Sequence, residues 1–113
     1  MTASGAAAED AAAAFLIARG LSLVERNYRC RFGEIDLILR DGRTLVFVEV
    51  RYRRNRAFGG AGESITSAKR TKLLRAARHY LASHRQLPDC RFDAILMHGD
   101  GAPIEWLVNA FGE

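Results

Sequence analysis

The sequence predicts a mixed α/β fold in which a central mixed β-sheet is flanked by two main helices. Three features lead to this prediction: a β-hairpin pattern at residues 33–53, a helical pattern on either side of it, and two strand patterns near the end of the chain. A chain of 113 residues has room for one domain. We therefore expect a disordered N-terminus at residues 1–5 and a single domain at residues 6–113.

The first helix is predicted at residues 6–19, where alanine dominates and Gly20 provides a stop. Its core-facing residues at helical spacing are expected to be Ala11, Ala14, Phe15 and Ala18. Glu9 lies in the first turns, where the helix dipole favours an acid. Residues 21–30 alternate imperfectly between apolar and polar types, and we interpret them as a strand that leads into the hairpin.

The hairpin is predicted because Asp41-Gly42, a strong turn signal, separates two runs of strand-forming residues. Side chains alternate between the faces of a strand, so pairing even positions of one strand with odd positions of the other makes the apolar rows coincide. These rows are Ile35, Leu37 and Leu39 in the first strand, and Val46, Val48, Val50 and Tyr52 in the second. The other face then gathers the charged residues Glu34, Asp36, Glu49 and Arg51, with Ile38, Leu45 and Phe47 beside them.

The second helix is predicted from a cap at Thr66 or Ser67 to about His84. Its buried stripe is expected to contain Leu73, Leu74, Ala77, Tyr80 and Leu81. Strand patterns follow at residues 90–97 and 104–108. The passage from the hairpin through this helix to the first of those strands is the candidate for a parallel crossover.

The charge distribution favours a polyanionic partner. The net charge is +4 and the pI about 9.6, and between Arg51 and Pro88 there are ten Lys or Arg residues but only one acid. This basic lobe predicts binding to nucleic acid, and the alternative is a protein that is basic for other reasons. The candidate nucleic-acid contacts are Arg53, Arg54, Arg56, Lys69, Lys72 and Arg75.

Cysteine usage and hydropathy indicate a cytoplasmic protein. Cys30 and Cys90 are far apart and lack CxxC spacing, so we interpret them as buried, reduced thiols. No apolar run approaches the roughly 20 residues of a membrane helix. The first charges of the chain are acidic, unlike the basic start of a signal peptide. No membrane partner is expected.

The acidic face of the hairpin suits metal-dependent chemistry. Asp36 and Glu49 supply hard oxygen ligands, which bind Mg²⁺ or Mn²⁺ and not zinc. Mg²⁺ commonly binds through only one or two carboxylates, and a bound metal assists the hydrolysis of phosphodiesters. Arg51, two residues after Glu49, is placed to hold a phosphate. The histidines and serines show neither metal-binding spacing nor a nucleophile elbow.

The acid in the first helix, the GEIDLI run, the hairpin and the VEV-x-YR run resemble the YraN-like uncharacterised family. That family resembles the PD-(D/E)xK nucleases, and its pattern is similar to that of archaeal Holliday junction resolvases. The resemblance covers nearly the whole chain, from Ala6 to Phe111, and includes the RFD run that ends at Asp93. It implies a restriction-endonuclease-like core and Mg²⁺- or Mn²⁺-dependent cleavage of DNA that is branched or nicked.

The resemblance also implies roles for individual residues. Asp36 matches the metal-binding aspartate, Glu49 matches the acid of the ExK element, and the Val50 carbonyl would complete the metal shell. Glu9 matches a first-helix glutamate that points at the same site. Glu34 belongs to the GEID signature, with a structural or a supporting role.

Arg51 stands where the nuclease pattern has lysine. A guanidinium binds phosphate but is a poor general base, so Lys69 or Lys72 could reach the site from the second helix instead. Three hypotheses remain open: a Mg²⁺-dependent endonuclease, an inactive nucleic-acid-binding module with the nuclease fold, and a protein whose hairpin charges form a structural ion-pair network. For a branched substrate we expect a homodimer.

Overall fold

The structure is a computed structural model that describes residues 3–53, 66–99 and 103–111, without the side chains of residues 3–5 and 53. It confirms the predicted mixed sheet with a helix on each face. The elements are α1 (Ala3–Ala18), β1 (Ser22–Cys30), β2 (Gly33–Asp41), β3 (Thr44–Arg53), α2 (Ser67–Leu81), β4 (Cys90–His98) and β5 (Glu105–Phe111). The five strands form one sheet in the order β1-β2-β3-β4-β5.

The hairpin of β2 and β3 has the predicted register. Leu37 pairs with Val48 and Leu39 with Val46, while Asp41 and Thr44 close a two-residue loop. Gly42 in that loop has a φ of 61°, which glycine adopts without a steric penalty and which a tight hairpin turn requires. This register brings Asp36 and Glu49 to neighbouring strands at the open end of the hairpin.

The predicted parallel crossover is confirmed. β3 pairs in parallel with β4 from Leu45 to Arg53, and α2 lies between them in the chain. The other pairs of neighbouring strands are antiparallel. Neither helix is long and apolar enough to cross a membrane, within the described ranges.

Each face of the sheet packs against one helix. The α1 face buries Leu16 and Leu21 against an aliphatic row of the sheet: Leu37, Leu39, Val46, Val48 and Ile95. The α2 face buries Leu73, Ala76 and Ala77 against a second row: Ile35, Ile38, Leu45 and Phe47. Burial on both faces fixes the β2–β3 register, because a slip of one residue would exchange the two rows.

The predicted strand faces are wrong at Ile35, which was expected on the same face as Leu37. It packs with Ile38 on the α2 face and not with Leu37 on the α1 face. Opposite this part of β2, between Arg26 and Tyr28, the β1 residue Asn27 has a φ of 53°, so the sheet is not regular there.

The predicted stripe of α1 is right for Phe15, which packs against the core, but wrong for two of its alanines. Ala14 and Ala18 are exposed, and the buried positions are Ala8, Ala12, Ala13 and Leu16. Alanines on every side of a helix give no directional signal, so the large side chain of Leu16 sets the buried face. The helix begins at Ala3, within the segment expected to be disordered.

The two cysteines are free but not buried as predicted. Cys30 is half-buried and Cys90 is exposed. Cys90 stands at the first position of β4, where the chain enters the sheet from an exposed loop, and its thiol donates to the carbonyl of Pro88.

Candidate active site

Asp36 and Glu49 line one cleft between the sheet and the start of α2. The cleft has a volume of about 310 Å³, and Gly33, Glu34, Thr66, Ala68, Lys69, Lys72 and Leu73 also line it. Glu49 is 3% exposed although it carries a charge. A buried carboxylate is costly unless it is paired, so its partners define what the site can do.

The Asp36 carboxylate is held by the backbone of the neighbouring strand. The paired residues of β2 and β3 end at Leu37 and Val48, and beyond them the Val50 N–H donates to Asp36 Oδ2 at 2.8 Å. The side chain thus takes an acceptor position that a strand carbonyl would otherwise fill. This fixes the orientation of Asp36 next to Glu49.

Two cations meet at one oxygen of Glu49. Arg51 Nη1 donates to Glu49 Oε2 at 3.0 Å, and Lys69 Nζ lies 2.8 Å from the same oxygen. Lys69 is in the first turn of α2, which is anchored because Thr66 Oγ1 accepts the Lys69 N–H at 3.2 Å. The structure therefore places a lysine at the acid pair from α2, as well as the arginine that follows Glu49 in β3.

Burial raises the pKa of Asp36 to about 7, and the nearby charge of Glu49 acts in the same direction. A hydrogen bond with Glu49 and the charge of Glu9 add to this increase, whereas the hydrogen bond from the Val50 N–H opposes it. Two carboxyl groups in such contact disfavour double ionisation. A divalent cation between them would remove that penalty.

Glu9 lies on the α1 side of Asp36. There a second cavity, of about 330 Å³, is lined by Ala6, Glu9, Arg26, Asn27, Arg29, Glu34 and Asp36. Glu9 is 3.8 Å from Arg26, and it is close enough to Asp36 to affect its pKa. Among the side chains described, no three His, Cys, Asp or Glu residues are close enough together to hold one metal.

The remaining predicted residues line the cleft, lie on the exposed surface of α2 or fall outside the described part of the chain. Glu34 is exposed and pairs with Arg29 at 3.2 Å. Lys72 lines the cleft, and Arg75 is exposed on α2. Three other predicted contacts lie outside the described part of the chain: the side chain of Arg53, and the whole of Arg54 and Arg56.

Asp93 is a second buried acid, and its partners give it a structural role. It accepts hydrogen bonds from Arg91 Nε at 3.1 Å, the Trp106 indole N–H at 2.9 Å and the Asn109 backbone N–H at 2.8 Å. This network ties β5 to β4. Arg91 also pairs with Asp41 at 3.0 Å and so connects the hairpin turn to the same network.

Sequence reasoning missed Arg26, Asn27 and Arg29, which line the cavity on the α1 side of Asp36. They lie in β1, which pairs with the acidic strand β2. A signal existed in the polar character of that segment beside the GEID run, but the irregular alternation hid which of its residues face the site.

The donor set fits Mg²⁺ or Mn²⁺. Two carboxyl groups meet in a partly enclosed cleft, where burial and then the nearby charge of Glu49 raise the pKa of Asp36. Mg²⁺ binds through one or two carboxylates and takes its other ligands from water and phosphate. Asp36 and Glu49 would hold it, and the Val50 carbonyl remains a predicted ligand.

A five-stranded mixed sheet with a helix on each face and an acid pair at the open end of its central hairpin is consistent with the restriction-endonuclease-like core. Residues 8–97 match the uncharacterised protein family UPF0102, and the chain belongs to this family. This confirms the resemblance to the YraN-like family.

Curated relatives match along almost their whole length. A UPF0102 protein of Nitrosospira multiformis is 65% identical over 108 residues, which cover 95% of this chain and 91% of the relative. A UPF0102 protein of Nitrosomonas eutropha is 61% identical over 109 residues, covering 96% and 93%. One of Nitrosomonas europaea is 58% identical over 110 residues, with the same coverage.

Proposed function

We propose that the protein is a Mg²⁺- or Mn²⁺-dependent nuclease that hydrolyses DNA phosphodiesters, with a preference for branched or nicked DNA. The observation that carries the proposal is the contact of Lys69 with Glu49, beside Asp36 and Arg51, in a cleft at the end of the hairpin. This arrangement joins a metal-binding acid pair to two cations that can bind phosphate.

The acid pair is the metal-binding part of the proposed site. Bound Mg²⁺ would polarise a phosphoryl oxygen and lower the pKa of a coordinated water. The N–H of Val50 keeps Asp36 oriented toward Glu49, so the two ligands are held before the metal arrives. A divalent cation held by the two acids would favour the ionised form of Asp36, because it would compensate the negative charge of the pair.

The two cations have separate roles in the proposal. Arg51 binds the scissile phosphate and stabilises the charge that develops on it, but a guanidinium does not take a proton from water. The Lys69 ammonium lies against the same carboxylate oxygen and supplies the lysine that the β3 position lacks. Paired with Glu49 as an ammonium, Lys69 can bind phosphate and orient a water molecule, but like Arg51 it does not accept a proton.

The second candidate is a DNA-binding module that keeps the nuclease fold without turnover. The favouring observation is that Glu49 Oε2 already has two cationic partners, which compete with a metal for that oxygen. Both candidates predict binding to DNA whose affinity falls steeply with salt. They differ in whether product forms.

The test is cleavage of end-labelled linear, nicked, flapped and four-way DNA in Mg²⁺ or Mn²⁺. Wild-type protein should give product from nicked, flapped or four-way DNA, and Asp36→Ala and Glu49→Ala should each lower the rate by about 100-fold or more. Binding measured at several salt concentrations separates the two candidates. Binding without product would support the inactive module.

Lys69 has a matched control in Lys72, which lines the same cleft from the same helix. Lys69→Met should lower the cleavage rate by about 100-fold, since it removes the ammonium at Glu49. Lys72→Met should weaken DNA binding and leave the rate at saturating DNA within a few-fold. Equal cleavage by wild type and Lys69→Met would exclude Lys69 from the reaction.

A further inference from the structure

An aromatic cluster lies beside α2, beyond its basic first turns. The Phe32 and His79 rings meet at a centroid distance of 5.8 Å, in an edge-to-face arrangement at 60°. Behind them, Tyr28 packs edge-to-face on Tyr80 at 5.1 Å, and Tyr80 in turn contacts Phe47 in the core. The inner rings therefore belong to the core, while Phe32 is half-buried and His79 is exposed.

The exposed ring of His79 is held in place. Its Nδ1 shares a hydrogen bond of 2.5 Å with the Tyr28 hydroxyl. Burial raises the pKa of Tyr28, so the hydroxyl keeps its proton at neutral pH. A ring fixed in this way loses little freedom when a planar ligand stacks on it.

The cluster is continuous with the proposed active-site cleft. Gly33 follows Phe32 and lines the cleft, and it lies so near α2 that a Cβ there would be 3.4 Å from the Lys72 Cβ. At the helical rise of 1.5 Å per residue, His79 is about 15 Å from Lys69 along α2. A nucleic-acid strand can therefore cover both sites.

Positive charge accompanies the rings. The Arg31 guanidinium lies over one face of the Phe32 ring, 4.9 Å from its centroid, and Lys72 and the exposed Arg75 stand on α2 between Lys69 and His79. Aromatic faces flanked by cations are the combination that proteins use to bind single-stranded nucleic acid, with bases on the rings and phosphates on the cations.

We propose that Phe32 and His79 form a stacking subsite for an unpaired base of the bound strand. The proposal rests on the proposed function, and it names the substrate class: DNA with single-stranded nucleotides next to the scissile phosphate, such as a flap or a gap. The phosphates between the subsite and the acid pair lie on Lys72 and Arg75. A fully paired duplex cannot supply the base.

The test is the affinity of a dye-labelled single-stranded oligonucleotide and of a blunt duplex of equal length, measured by fluorescence anisotropy in EDTA. Phe32→Leu keeps an apolar side chain but removes the stacking face, and we expect single-strand affinity to fall about 5- to 100-fold. Phe32→Trp should stay within about two-fold of wild type. Duplex affinity should change less than two-fold in both variants.

Two outcomes would overturn the subsite: single-strand binding by Phe32→Leu equal to wild type, or an equal loss for single strand and duplex. Thermal unfolding of each variant shows whether it is folded, and His79→Gln probes the second ring if Phe32→Leu is not. Because binding is measured without metal, this experiment tests the subsite independently of cleavage. Absence of cleavage by wild type in Mg²⁺ would refute the proposed function alone.

Discussion

Asp36→Asn offers a test of the acid pair that does not depend on DNA. Asparagine has the same shape, its carbonyl oxygen can accept the Val50 N–H, and its NH₂ group can donate to Glu49. What it removes is the negative charge that burial and Glu49 make unfavourable. In the absence of metal, Asp36→Asn should therefore become more stable than wild type as the pH rises.

The size of this stability difference follows from the pKa of Asp36, which is about 7 in the folded protein and ordinarily 3.8. Between these values the folded state holds a proton that the unfolded state has lost, so the free energy of unfolding falls as the pH rises. Each pKa unit corresponds to about 1.36 kcal/mol. Between pH 5 and pH 8 wild type should lose about 3 kcal/mol through Asp36, and Asp36→Asn should not.

The assay is urea unfolding in EDTA at pH 5 and pH 8, followed by the fluorescence of Trp106, the one tryptophan of the chain. From pH 5 to pH 8, the free energy of unfolding of Asp36→Asn should rise by about 3 kcal/mol relative to that of wild type. Glu34→Gln is the control, because Glu34 lines the same cleft but is exposed and paired with Arg29. Parallel pH profiles for wild type and Asp36→Asn would refute the reasoning.

The structure gives two further predictions about stability. Asp93→Ala should lower the free energy of unfolding, measured in urea, by about 3–5 kcal/mol. The cause is that Arg91 and two N–H donors lose their buried acceptor. A loss below about 1 kcal/mol would contradict this role. Thr66→Ala should cost about 1 kcal/mol, because it removes the helix cap that accepts the Lys69 N–H. It should also slow cleavage more than Ser67→Ala, which leaves that cap intact, and equal rates for the two variants would show that the cap does not position Lys69.

The hairpin could be predicted from the sequence because several independent signals agree there. The Asp41-Gly42 turn, the two apolar rows and the cost of burying charge all select one register, and that register is observed. The parallel crossover followed because the hairpin, a helix and a strand succeed one another in the chain. Local pattern and global fold are consistent in this part of the molecule.

The sequence was less informative where one residue type fills a helix and where a contact joins residues far apart in the chain. The run of alanines in α1 has no preferred face, so the buried face was assigned incorrectly. The contact between Lys69 and Glu49 joins residues that are 20 positions apart in the chain, and only the packing of α2 decides whether Lys69 or Lys72 reaches the acid. The left-handed conformation of Asn27 has no marker in the alternation of β1.

The rate at which the purified protein cleaves a flapped DNA in Mg²⁺, with enzyme in excess, tests the account most directly. Glu49→Gln serves as the matched control, because it keeps the shape of the side chain at the contact with Lys69 and Arg51 but removes the metal-binding charge. We predict product that requires Mg²⁺ or Mn²⁺ with wild type, and a rate at least about 100-fold lower with Glu49→Gln. No product at any concentration of either metal, or equal rates for the two proteins, would contradict the account.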